Sequence, residues 1–300
     1  MPFRIEDIKK GRRQRVEQGG KRTVIEEPGN RVIVQEKGQR ATIRHDETDR
    51  LRRTSSSVRS ERGRDGGNIT IAVRPGGVEI FSEFDPSGRL KRRYRRGRDG
   101  HEMNLIDNRR FDRRDGPGLI LNLRPPRVRI ARQKYIVEYD RASDEDIYEA
   151  LGAPPVERID RGYSLDEIRY NPYLRDRMRR VDLDTVNFAF GEWDVSPSQY
   201  PRLARIARAI NRIIDRRPDE IFLIEGHTDA VGSDIDNLTL SDRRAESVAI
   251  ILAETFNVPP ENLITQGYGE EFLKIPTFRP ERANRRVAVR RITPLMARSR

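Results

Sequence analysis

The sequence predicts an α+β protein: a C-terminal βαβαββ two-layer α/β sandwich with a mixed sheet, preceded by a basic, β-rich, partly disordered N-terminal region. Three observations predict it. From residue 183 onward, stretches of helical apolar spacing alternate with short strand-like runs in the order β-α-β-α-β-β, which places both helices on one side of a sheet. Upstream, β-branched runs are separated by Gly-Gly, Pro-Ser-Gly and Asp-Gly, the chemistry of tight hairpin turns. The charge is also divided. Residues 181–300 hold 17 basic and 18 acidic residues, so the net +12 of the chain comes from residues 1–180, nearly all of it arginine (53 Arg against 7 Lys).

Residues 1–67 read as a disordered basic leader, charged over 1–20, carrying a short nine-residue repeat that starts at Arg22, Arg31 and Arg40. Each unit is a β-branched run followed by turn residues, and three such strands are marginal unless they pack on something else. Leu51–Gly67 has the Arg/Ser/Gly composition of a linker. Residues 68–117 read as a small antiparallel meander, with strands at Ile69–Val73, Val78–Phe81, Arg89–Tyr94 and Glu102–Ile106. Residues 118–182 form a connector. It has strands at Val128–Ile130 and Tyr135–Tyr139, a Ser143-capped helix stopping at Gly152, and a helix from Ser164 to Met178 interrupted by Pro172.

The C-terminal unit spans 183–292, with a basic tail at 293–300. Leu183–Phe188 reads as a strand. Ser196-Pro-Ser-Gln199 has the form of a capping box opening a helix that ends before Pro218. Ile221–Glu225 is a continuous apolar strand, and a second helix runs from about Asn237, its cap, to Phe256. Strands follow at Leu263–Tyr268 and Arg286–Ile292. Trp193, the only tryptophan, reads as packing, and Arg243 and Arg282 as solvated surface.

Composition excludes several functions. With no cysteine there is no disulfide, no thiolate metal site, no cysteine nucleophile and no lipidated N-terminal cysteine in this chain. No apolar run reaches the length of a membrane-crossing helix. The first residues lack the apolar core of a signal peptide, so export would need a signal from elsewhere.

The chemistry concentrates between the second strand and second helix, in Gly226-His-Thr-Asp229-Ala-Val-Gly232 and Asn237-x-x-x-Ser241-x-x-Arg244. Asp229 follows a strand end, where α/β folds bind ligands. Asn237, Ser241 and Arg244 recur at i, i+4 and i+7, on one face of the early helix turns. A carboxylate, an amide and a guanidinium thereby surround a helix start whose free N–H groups favour an anion. Such a site is complementary to a zwitterion, and an α-amino acid head group is the candidate.

These two blocks, followed by Gly267-Tyr-Gly-Glu270 and Asn284-Arg-Arg-Val287, resemble the OmpA-like C-terminal domain found in OmpA, Pal and MotB, over roughly residues 183–292. The resemblance implies a non-enzymatic, periplasmic module that binds peptidoglycan at the diaminopimelate of its peptide stem, anchoring the outer membrane or an envelope complex to the cell wall. By that analogy Asp229 pairs with the ammonium and Arg244 with the carboxylate. Thr228 and Asn237 add hydrogen bonds and Arg285 closes the far side, with Gly226, His227, Gly232, Ser241 and Asn284 in support. The segment between Glu270 and Asn284 is longer and more basic than the family pattern.

Blander readings stand beside these. Asp229 could make only a turn, and His227 reads as structural, hydrogen-bonded to nearby backbone; a metal site would need ligands that the remaining histidines, His45 and His101, do not supply from this domain. No catalytic group, metal or cofactor is expected. The arginine clusters at Arg89–Arg98 and Arg109–Arg114 are the footprint of a partner such as anionic lipid, lipopolysaccharide or, as a weaker reading, nucleic acid. Within the family, a stator or secretion-system tether is the alternative role, and the sequence leaves self-association into a homodimer open.

Overall fold

The computed structural model describes residues 4–111, 123–189 and 191–297. Helix α1 (Ile5–Gly11) leads into strands β1 (Arg13–Glu17), β2 (Arg22–Glu27), β3 (Arg31–Glu36) and β4 (Thr42–His45), an antiparallel meander in chain order. The nine-residue repeat supplies one strand per unit, and in-register pairing stacks Ile25, Ile33 and Ile43 on one face. Helix α2 (Thr48–Arg53) precedes a second antiparallel meander: β5 (Ser57–Arg62), β6 (Asn68–Val73), β7 (Glu79–Phe84), β8 (Leu90–Arg96) and β9 (Glu102–Asp107).

After α3 (Arg132–Tyr135), β10 (Ile136–Glu138), α4 (Asp144–Gly152), α5 (Leu165–Tyr170) and α6 (Pro172–Arg175) comes the C-terminal unit. It comprises β11 (Arg180–Leu183), α7 (Ala204–Arg216), β12 (Phe222–Gly226), α8 (Asp234–Phe256), β13 (Leu263–Gly267) and β14 (Val287–Arg291). The sheet order is β10-β11-β14-β12-β13; β14 runs antiparallel to β11 and β12, whereas β10/β11 and β12/β13 are parallel. The expected mixed sheet and βαβαββ order are therefore present. One face, with Phe222, Ile224, Val287 and Val289, packs on α7 and α8. The other, with Leu223, Ile264 and Ile292, is covered by Leu165, Ile168 and Leu174 of α5 and α6 and by Ile106 of β9, so a third layer shields it.

Several local expectations are corrected. Residues 5–17 are not a disordered leader: Ile5 and Ile8 of α1 are buried against Trp193 and Leu240. The 51–67 segment holds the end of α2 and all of β5 rather than a linker. Val128–Ile130 forms no strand. The strand read as Leu183–Phe188 ends at Leu183. Ser196 makes no capping bond; Pro197–Leu203 is a 3₁₀ segment with Pro201, which has no N–H to donate, inside it, and Gln199 instead brackets the backbone of Asn187. Ser233, not Asn237, caps α8 by accepting from the Asp236 amide. Arg243 is buried, with its guanidinium over the Trp193 ring and donating to the Pro28 carbonyl.

The N-terminal half packs through α1, α2 and β4 against α8, and β4 also meets the edge strand β13. Arg31 donates to Asp242 (2.9 Å), and His45 lies between Asp242 (Nδ1, 3.0 Å) and Glu246 (Nε2, 3.4 Å) and bonds Thr265 Oγ1 at 2.9 Å. Arg50, fully buried, bridges Glu246 and the Leu263 carbonyl. This accounts for the burial of Asp242 and Glu246 on α8, which face the N-terminal half instead of water.

Burial pulls the His45 pKa down, but the Asp242 and Glu246 carboxylates outweigh burial and Arg31 repulsion, raising it from 6.5 to about 9. A raised folded-state pKa stabilises fully below the unfolded value and is lost as pH climbs through the folded one. Unfolding free energy is therefore expected to fall between pH 6.5 and about 9. Urea titrations at several pH values should show that slope, and His45→Gln should remove it; an unchanged slope in the variant would refute the assignment.

Candidate functional site

Strand β12 ends at Gly226, pressed so close to α8 that a Cβ there would lie 1.9 Å from the Ser241 carbonyl oxygen. The chain beyond is pinned on two sides. His227 N donates to the Arg286 carbonyl (3.0 Å) and Thr228 N to the Gly269 carbonyl (2.9 Å). Gly232, at φ +113°, turns the chain toward the α8 cap where a side chain would be strained. Asp229 is thereby held at the mouth of the sheet, buried, its Oδ2 accepting from Arg285 Nη1 (2.5 Å) and the Glu281 amide (3.2 Å).

Arg244 approaches from α8. It is almost fully buried, over the Phe188 ring at 4.9 Å, and donates to the carbonyls of Glu192 (3.0 Å) and Ala189 (3.4 Å). Among the described residues no carboxylate forms an ion pair with it. Burial first, then repulsion from Arg285, lowers its pKa to about 10, with Asp229 acting in the opposite direction. The group is thus still charged at neutral pH, and the three side chains share one electrostatic site.

The remaining sequence-predicted residues divide into two groups. Thr228 lies beside Asp229 with its hydroxyl buried and without a hydrogen-bond partner among the described residues. Asn237 sits in the first turn of α8, but its Nδ2 donates to Glu270 Oε2 at 2.6 Å. Ser241 is structural: its hydroxyl donates to the Leu238 carbonyl and accepts from the Gly269 amide, each at 2.8 Å. Asn284 fastens the 272–284 loop by bonding both the N–H and the carbonyl of Ile275. His227 is buried among Tyr268 and Phe272, and its ring nitrogens have no hydrogen-bond partner among the described residues, contrary to the expected backbone bonds. Burial and then Arg286 push its pKa down to about 3, so the ring is neutral, and Glu225 at 3.9 Å is too far to hydrogen-bond it.

The direct partner of Asp229 is Arg285 rather than Arg244. Sequence reasoning missed Phe188, the Glu281 amide and the Ala189 and Glu192 carbonyls. Only Phe188 carries a side-chain signal, since main-chain groups leave none in a sequence.

Residues 187–286 match the OmpA family. This part of the chain is an OmpA-like domain. Outer membrane porin F of Pseudomonas aeruginosa is 35% identical over 91 residues, which cover 30% of this chain and 25% of the porin. The outer-membrane lipoprotein YfiB of the same organism is 36% identical over 98 residues, 32% of this chain and 55% of its own length. Among solved structures, the peptidoglycan-associated lipoprotein of Burkholderia pseudomallei aligns with 25% identity and a TM-score of 0.31, covering 35% of this chain and 87% of that one. The chain thus spans about a quarter of the porin and about half of the lipoprotein. No helix among the described residues is long and apolar enough to cross a membrane.

Proposed function

We propose that the OmpA-like domain binds peptidoglycan non-covalently at the zwitterionic end of diaminopimelate, in the cell envelope on the periplasmic face of the outer membrane. The observation that carries this reading is Arg244: a buried guanidinium held by two carbonyls, with no carboxylate of its own among the described residues, next to Asp229. An uncompensated buried charge is costly, and a ligand carboxylate would offset that cost. The ligand ammonium would compete with Arg285 for Asp229, and the Thr228 hydroxyl, unpartnered among the described residues, would supply a further hydrogen bond. Arg285, half-exposed, can swing to the ligand carboxylate as Asp229 takes the ammonium. Asn237 acts through Glu270, holding the helix start. The domain is read as a binder, not a hydrolase, because Asp229 is paired with arginine rather than with a second acid or a histidine base.

Charge-assisted bonds of this kind contribute about 1.5–3 kcal/mol each, and many stems on one polymer add avidity. Asp229→Ala and Arg244→Ala are each expected to weaken co-sedimentation with diaminopimelate-type sacculi at least tenfold, and free meso-diaminopimelate should compete. Lysine-type sacculi, whose stem lacks the distal carboxylate, should bind more weakly. Undiminished binding by both variants would remove the site assignment, and release of soluble muropeptides would overturn the non-enzymatic reading.

A further inference from the structure

Much of the positive charge clustered around β8 is paired, whereas Arg113 and Arg114 of the second cluster lie outside the described residues. In β8 and its approach, Arg89 pairs with Asp166, Lys91 with Asp65, Arg92 and Arg96 with Glu102, Arg93 with Glu47 and Arg95 with Glu261. That cluster is internally neutralised. The segment from Leu123 to Tyr135 is the opposite case. It contains Arg124, Arg127, Arg129, Arg132 and Lys134 and no acid, and all five side chains are exposed. None of them forms an ion pair among the described residues.

The segment is also held in place. The Arg127 amide donates to Glu157 Oε1 (2.8 Å) and the Tyr135 hydroxyl to the Asp176 carbonyl (2.7 Å), so the strap is fixed at two points while its cations are exposed. Val128 and Ile130 alternate with the arginines, and Val128 is exposed.

We infer that this strap is a docking surface for an anionic phospholipid bilayer, reading phosphate headgroups with the four arginines while Val128 and Ile130 enter the interfacial layer. Arginine and lysine stems lie along apolar surface with their charges at headgroup level, and each basic residue near an anionic leaflet strengthens binding by about fivefold. Nucleic acid fits less well: no aromatic side chain lies between Arg124 and Lys134 to stack on a base. The inference is independent of the wall-binding reading, since the strap and the Asp229–Arg244 site share no residue.

The test is co-sedimentation of the full chain with vesicles of phosphatidylglycerol and phosphatidylethanolamine, compared with phosphatidylcholine alone, at low and high salt. Binding only to the anionic vesicles, falling as salt screens the charges, is the expected result. The variant carrying Arg124→Gln, Arg127→Gln, Arg129→Gln and Arg132→Gln should lose at least tenfold in vesicle binding while keeping its unfolding midpoint and its sacculus binding. Arg92→Gln with Arg96→Gln removes two paired cations from β8 and should stay within about twofold of the parent. Asp229→Ala should bind vesicles normally, so the two readings fail separately. Equal loss in both arginine variants, no preference for anionic vesicles, or tighter binding to duplex DNA than to vesicles would each overturn the inference.

Discussion

Arg50→Ala is expected to lower the unfolding free energy by about 3–5 kcal/mol, the cost of leaving a buried charge without its partner. Arg50 is fully buried, bonded to Glu246, 3.5 Å from Glu47 and 2.7 Å from the Leu263 carbonyl. Removing it takes from Glu246 the closer of its two cations, leaving His45 at 3.4 Å; its pKa is held near 2 because Arg50 and His45 overcome the opposing effect of burial. Glu47 would keep Arg93 at 2.7 Å and Arg169 at 3.6 Å, so the damage should centre on the α8 side of the interface. Urea denaturation at pH 7 measures the effect. The double variant Arg50→Met with Glu246→Met should recover much of the loss, because an apolar pair needs no counter-charge. A loss below 1 kcal/mol for Arg50→Ala would mean that water reaches this interface and that the N-terminal sheets are only loosely docked.

That interface shows where sequence reading stopped. The strands of the OmpA-like domain, the helix stripe of α8 and its stop at Phe256 were legible because apolar spacing and Pro259-Pro260 are local signals. Asp229, Arg244 and Thr228 were legible for the same reason: their motif is contiguous, and the strand end and helix start that carry it lie within twenty residues of one another. The ordering of residues 5–62 was not. Its arginines and glutamates have the composition of a solvated leader, and only a partner more than 190 residues away in sequence, such as Glu246 for Arg50, turns them into buried, paired groups. Periodicity also misplaced the cap of α8. Both Ser233 and Asn237 are good caps by residue type, but α8 starts at Asp234, so Asn237 lies inside the helix and its side chain bonds Glu270. Charge clustering misled in the same way, since the β8 arginines find their acids across strands and domains.

Gly226→Ala should be the most damaging single-methyl change in the candidate site. The added Cβ would meet the Ser241 carbonyl oxygen at 1.9 Å and its carbon at 2.6 Å, both backbone atoms of a helix that cannot give locally. Strand β12 and helix α8 must then separate, and the cost should exceed the 1–3 kcal/mol typical of core overpacking. The displacement also acts on the site, because Asp229 lies three residues beyond Gly226 and Arg244 three beyond Ser241. Sacculus binding should therefore fall even in the fraction that remains folded. Gly267→Ala should behave alike, its Cβ lying 2.4 Å from the Asp242 amide nitrogen. Gly152→Ala, with nothing within 4 Å of the new methyl, is the control and should change stability by less than about 1 kcal/mol in either direction. Chemical denaturation and sacculus binding of the three variants separate packing from ligand contact. Near-parental stability in Gly226→Ala would mean that β12 and α8 are not in backbone contact, and the positioning of Asp229 against Arg244 would lose its structural basis.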